Sequence, residues 1–202
     1  MNQKNLLIVF TKNPELGKCK TRLAKTIGDI NALKVYKHLL QHTAKVTQEI
    51  KADKEVFYSQ EPIQKDDFSS TYFSKKTQTG LDLGEKMNNA FQQGFLNKYE
   101  KVVIIGSDLF DLETTDIEEA FAQLEQSDYV MGPAKDGGYY LLGMKKFTPE
   151  IFQQINWSTS TVLEETLQLL ENKKVVLLQE KNDIDTIEDI KHINVFQQYI
   201  NK

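Results

Sequence analysis

Apolar positions in this chain fall into two rhythms. Short continuous runs at residues 6–11, 55–59, 101–106, 129–133, 139–144 and 175–178 are rich in Val, Ile, Leu and Tyr and read as strands. Between them apolar residues recur at helical spacing. Ala32, Val35, Tyr36, Leu39, Leu40, Val46 and Ile50 form one stripe, and Leu83, Met87, Phe91 and Phe95 a second. Val162, Leu163, Thr166, Leu167 and Leu170 give a third. Strands that are apolar throughout, alternating with amphipathic helices, predict a mainly parallel sheet covered on both faces. No internal repeat or low-complexity tract interrupts this alternation, and residues 60–70 read as a loop. The expectation is one α/β domain over residues 1–202.

Composition narrows the class. With 202 residues and 40% hydrophobic content, the chain can bury one sizeable core. No stretch is long and apolar enough to span a membrane, and the start lacks a signal-peptide pattern, so a cytoplasmic location without membrane partners is expected. The single cysteine, Cys19, excludes an internal disulfide and suits a reducing compartment. A net charge of −4 argues against a nucleic-acid partner, which needs a broad basic face. Oligomeric state is not legible, and a homodimer stays open.

Against that acidic balance, the segment after the first strand, FTKNPELGKCKTRL, gathers Lys12, Lys18, Lys20 and Arg22. Arg22 is the only arginine among 25 basic residues, and a guanidinium pairs bidentately with phosphate where an ammonium does not. In open α/β sheets ligands bind beyond the carboxyl ends of strands. Gly17 permits close backbone approach, and Lys20-Thr21-Arg22 reads as a helix opening whose amides point at an anion. A Walker loop is excluded, because Cys19 stands where its second glycine belongs. A solvated lysine-rich loop is the plain alternative.

Other strand ends carry acids. Asp108 and Asp111 follow the apolar run 102–106; Asp108 suits a divalent cation bridging ligand phosphates, Asp111 a cap for a helix near 114–126. Asp185 with Glu188 has capping-box spacing, beside Asp183, so cap and metal ligand are both credible there. Asp136-Gly137-Gly138 reads as a ligand-approaching loop, a hairpin turn, or both. Asp82 and Glu85 again have the spacing of a cap. Trp157 reads first as a core anchor, with a sugar platform as the alternative, while His38 and His42 read as surface residues.

In order, FTKNPELGKCKTRL, QTGLDLGEKM, IGSDLFDL, GPAKDGGYYLLG and DIDTIEDI resemble the bacterial glycosyltransferase-like proteins related to phospholactate guanylyltransferases. The resemblance implies the nucleotide-diphospho-sugar transferase (GT-A) fold, a Rossmann-like α/β/α sandwich with a mainly parallel mixed sheet. It implies that Lys12, Gly17, Lys20, Thr21, Arg22, Gln78 and Gly84 bind the nucleotide and its phosphates. Asp108 and Asp185, with Asp183 as a substitute, would hold Mg²⁺ or Mn²⁺. Asp136, Gly137, Gly138, Trp157 and Ser158 would border the acceptor, and Asp108, Asp136 and Arg22 would be catalytic. Two positions depart from that pattern: Phe110 replaces a usual proline, and Lys86 a common arginine. Sugar transfer from a nucleotide-diphospho-sugar to a small acceptor is the leading expectation. Nucleotidyl transfer from an NTP to a phosphorylated acceptor comes next, and nucleotide binding without catalysis third.

Overall fold

In the strand Asn5–Thr11 (β1), successive side chains are sorted to opposite faces of a sheet. Leu7 and Val9 join one buried cluster, while Leu6, Ile8 and Phe10 join another. The computed structural model describes residues 4–200; residues 1–3 and 201–202 of the expected domain lie outside the described residues. After β1 come the helices α1 (Thr21–Ile27) and α2 (Asp29–Gln48), then β2 (Asp53–Tyr58), β3 (Ser74–Thr77) and α3 (Leu83–Leu96). β4 (Lys101–Ile105), α4 (Thr114–Gln123), β5 (Tyr129–Pro133) and β6 (Tyr139–Met144) follow. The chain ends through α5 (Val162–Leu169), β7 (Val175–Leu177), α6 (Ile187–Ile190) and α7 (Gln197–Ile200), with short 3-10 turns at Pro149–Phe152 and Asn194–Phe196.

The sheet runs β3-β2-β1-β4-β6-β5-β7. Every neighbouring pair is parallel except those made by β6, which runs antiparallel to both β4 and β5. α2 and α4 bury Val35, Leu39, Ile117 and Ala120 against one face, and α3 buries Met87, Ala90 and Phe91 against the other. The alternation read from the sequence therefore yields the expected mixed, mostly parallel α/β sheet.

Three local expectations change. β3, with the sequence Ser-Lys-Lys-Thr, is an edge strand lacking any apolar run; Lys76 pairs with Glu55 on β2 at 2.7 Å. The cap of α4 is Glu113, reciprocated by Asp116, rather than Asp111. Its first turn is fixed by those two side chains, and Asp111 instead offers its carbonyl to the buried Lys181 ammonium at 2.8 Å. His38 and His42 are half-buried, not surface residues. His38 meets Phe196 edge-on at 5.3 Å, and His42 Nε2 lies 2.8 Å from the Leu112 carbonyl oxygen.

Candidate active site

β1 has β2 on one side and β4 on the other, so the order of strands reverses there and the loops leaving β1 and β4 diverge. The divergence is stitched by side chains. Ser107 Oγ donates to Thr11 Oγ1 at 3.2 Å, and the Tyr36 hydroxyl lies 3.1 Å from the same oxygen. That hydroxyl also accepts the Lys12 amide and donates to the Lys12 carbonyl oxygen, both at 3.0 Å. Burial, reinforced by the negative charge of Asp108, pushes the Tyr36 phenol up to about 12, so it remains a neutral donor that pins the loop exit.

The loop then folds back on itself. Gly17 takes φ 74°, and Lys20, a residue with a Cβ, is held at φ 50° and ψ 46° where α1 begins. This left-handed turn sends the Lys20 side chain inward. Its Nζ lies 2.9 Å from Asp108 Oδ2 and 3.1 Å from Asp185 Oδ1. The lysine side chain is 3% exposed, whereas the two carboxylates are 38% and 40% exposed. Burial pulls the ammonium's pKa down, but the two carboxylates outweigh it and leave it above its ordinary value. Arg22 Nη1 reaches the other Asp185 oxygen at 3.4 Å. Lys12, Lys20, Thr21, Arg22, Asp108 and Asp185 thus line one polar cleft of about 230 Å³. The Cys19 thiol lines the same cleft, donates to the Asn13 carbonyl oxygen, and has its pKa raised by burial.

Asp185 is available to Lys20 and Arg22 because the α6 cap sits one residue later than the sequence spacing suggests. Thr186 is the N-cap, and Asp189, not Glu188, closes the capping box. The Asp189 carboxylate accepts the amides of Asp185 and Thr186 at 3.0 and 2.6 Å, leaving the Asp185 side chain in the cleft. Phe110 turns away from the cleft, its ring packing on Phe196 at 5.1 Å, so the departure from proline leaves Asp108 in place.

A second, larger cavity of about 440 Å³ adjoins the first, and Arg22 lines both. Asp136, Gly138, Trp157 and Ser158 line it, together with Asp183. Asp136 Oδ1 accepts the Gly138 amide at 2.9 Å, fixing the β5–β6 hairpin turn. Gly137 does not line the cavity but supports it. Its φ is 90°, its carbonyl accepts the Leu163 amide at 3.0 Å, and an added Cβ would lie 2.0 Å from the Ser160 carbonyl oxygen.

Two residues expected at the nucleotide make contacts within the protein. The Gln78 amide donates to the carbonyl oxygens of Thr11 and Phe57 at 3.0 and 2.9 Å, tying β1 to β2. Gly84 lies beneath Trp157, where a Cβ would meet the indole Nε1 at 2.2 Å. Gly84 positions the indole, and Gln78 braces the sheet; neither lines the clefts described. Gly17 likewise contributes its backbone turn rather than a cleft wall.

Among the described residues no three His, Cys, Asp or Glu side chains form a metal cage. The donor set nonetheless suits a cation that arrives with phosphate, since magnesium takes one or two carboxylates plus phosphate oxygens. Asp108 and Asp185 both open onto the cleft, and Asp183 Oδ1 is buried without a partner. Burial raises the Asp183 carboxyl to about 7, with Asp108 and Asp136 adding to it and Lys20 opposing. Sequence reasoning gave Tyr36 only a core position; its hydroxyl became legible only once the loop after β1 was seen to fold over it.

A family model described as an uncharacterized protein conserved in bacteria (DUF2064) matches residues 42–159. A solved structure from Desulfovibrio desulfuricans G20, described as a candidate nucleotide-diphospho-sugar transferase, is 30% identical. It aligns over 99% of this chain and 93% of its own, with a TM-score of 0.86. The 4-diphosphocytidyl-2C-methyl-D-erythritol synthase of Anaerococcus prevotii DSM 20548 is 12% identical over 96% of both chains, with a TM-score of 0.60. The inositol-1-phosphate CTP transferase of T. maritima is 13% identical over 96% of this chain and 94% of its own, with a TM-score of 0.56. At such identities the last two show a shared fold. No curated protein matches the sequence.

Proposed function

The chain belongs to this DUF2064 family, and on that premise we propose that it transfers a sugar from a nucleotide-diphospho-sugar to a small-molecule acceptor. The observation that carries the reading is the Lys20 ammonium between Asp108 and Asp185, with Arg22 on the same cleft at the point where the strand order reverses. Cations preorganised in this way favour the charge that collects on a departing diphosphate. In the transfer, the bond between the anomeric carbon and the phosphate oxygen breaks, and its electron pair leaves with the nucleoside diphosphate. The acceptor oxygen bonds to the anomeric carbon, and its proton passes to Asp136, which faces the adjoining cavity. Asp108 and Asp185, with Asp183 nearby, would hold Mg²⁺ or Mn²⁺, which when bound neutralises the diphosphate. Lys12 and the fork of Arg22, which line the same cleft, orient the phosphates.

A second reading, nucleotidyl transfer, is supported by the cation count of the cleft. Lys12, Lys20 and Arg22 suit a triphosphate as well as a diphosphate. An NTP would then be attacked at its α-phosphorus by a phosphorylated acceptor, with pyrophosphate leaving. Incubation with magnesium or manganese against one panel of nucleotide sugars and one of NTPs, each with varied acceptors, separates the two. Release of a nucleoside diphosphate from the sugar panel is expected. Pyrophosphate release with a phosphorylated acceptor moves the assignment to the second reading, and nucleotide binding without turnover on either panel removes both.

A further inference from the structure

The larger cavity differs in chemistry from the cleft beside it. Phe10, Met87 and Ile104 form an apolar floor, the Trp157 indole a wall, and Leu83 a half-exposed rim. Its volume falls within the range of small-molecule sites, about 300–1,000 Å³. The charged side chains that line it are Asp136, Asp183 and Arg22. Arg22 is the sole cation among them, and its guanidinium is turned to Asp185 on the phosphate side. A second phosphate or carboxylate brought into this cavity would therefore face two acidic side chains with no lysine to meet it. Ser158 and Thr159 add hydroxyls at the same wall.

Resting on the sugar-transfer reading, we propose that this cavity takes an acceptor with an apolar, ring-sized body and a hydrogen-bond-donating head, hydroxyl or amine, and rejects a phosphorylated one. The apolar body gains from leaving water against Trp157 and Met87. The donating head meets carboxyl oxygens that accept, and a phosphate at the same place meets the like charge of Asp136 with no lysine to offset it, which costs several-fold to many-fold in affinity. The acceptor oxygen or nitrogen is then presented beside Asp136 and across Arg22 from the diphosphate.

Trp157 is the only tryptophan in the chain and stands in the cavity wall, so its emission reports occupancy directly. The full chain is titrated with benzyl alcohol, benzylamine and benzyl phosphate, with inorganic phosphate in excess to fill the neighbouring cleft. Saturable shifts in emission are expected from the alcohol and the amine, and binding of benzyl phosphate about tenfold weaker or undetectable. Leu83→Asp is expected to weaken the alcohol while keeping the fold, because an acid in the first turn of α3 suits the helix N-terminus. Leu83→Ala serves as the milder companion. Benzyl phosphate binding as tightly as the alcohol, or no response to any probe, overturns the inference. Calorimetry with uridine diphosphate and magnesium is run alongside. Nucleotide binding with reversed probe selectivity defeats the acceptor assignment alone, whereas intact selectivity without nucleotide binding defeats the phosphate assignment and keeps the preference of the cavity.

Discussion

Lys20 Nζ lies 2.9 Å from Asp108 Oδ2, the lysine enclosed and the aspartate open to the cleft. The arrangement places a fixed positive charge behind a carboxylate that can still reach a ligand. Lys20→Met removes the cation between Asp108 and Asp185 and leaves only the exposed Arg22, 3.4 Å from Asp185, to offset them. Removing one partner of a fully buried pair costs about 3–5 kcal/mol. Here water reaches both carboxylates, so a loss of about 1–2 kcal/mol in urea unfolding is expected, together with at least tenfold weaker nucleotide binding. Wild-type affinity in a folded Lys20→Met protein would remove the lysine from the phosphate site.

Asp108→Ala is expected to abolish the magnesium- or manganese-dependent part of nucleotide binding and leave the metal-independent part. The check is a calorimetric titration of nucleotide with and without chelator. Undiminished metal dependence refutes Asp108 as a ligand.

Arg22→Lys keeps the charge and removes the fork. Arg22 is largely exposed, so stability should stay within about 0.5 kcal/mol while nucleotide affinity drops roughly three- to tenfold. Equal affinity in the two proteins means that geometry at this position carries no specificity.

Gly137→Ala tests the contact between the hairpin turn and the 158–161 loop. The left-handed φ of 90° and the 2.0 Å approach to the Ser160 carbonyl oxygen both oppose a Cβ. An expected cost of about 1–3 kcal/mol should appear in the urea midpoint, with a change in Trp157 emission as the loop yields. An unchanged midpoint and spectrum would show that loop to be looser than its hydrogen bonds suggest.

Acid should weaken the packing around His38. Burial, with the neighbouring His42 adding, lowers the His38 pKa below its ordinary value. The unfolded chain therefore binds the proton more readily than the folded one. The His38 contribution is undiminished above the unfolded pKa, about 6.5, and is lost as pH falls toward and through the lowered folded value. The difference between the urea midpoints of the parent and His38→Gln, measured between pH 5 and 8, should rise with pH. That difference separates His38 from Asp183, whose raised carboxyl acts in the opposite sense. An identical slope in the variant assigns the pH dependence elsewhere.

What the sequence disclosed followed from burial on both faces. Strands such as β1 and β4 are apolar along their length, so their positions are plain, and the acids and bases just beyond them mark the ligand side. β3 escaped because an edge strand of Ser-Lys-Lys-Thr has no buried face to announce it. The caps of α4 and α6 slipped because several acids compete within a few positions, and only backbone geometry selects Glu113 with Asp116 and Thr186 with Asp189. Lys20, Arg22, Asp108 and Asp185 were legible as chemistry, but their meeting was not. It depends on a left-handed lysine and on contacts across more than 160 positions of chain.

The polar outer strand bears on how two copies could meet. β3 is only four residues long, and its lysines are engaged inward, Lys75 with Asp66 and Lys76 with Glu55. A short, charge-bearing margin gives a neighbouring molecule little to hydrogen-bond to. Self-association by prolonging the sheet across that margin is thereby disfavoured, and the protein carries its own guard against stacking into fibres on that side.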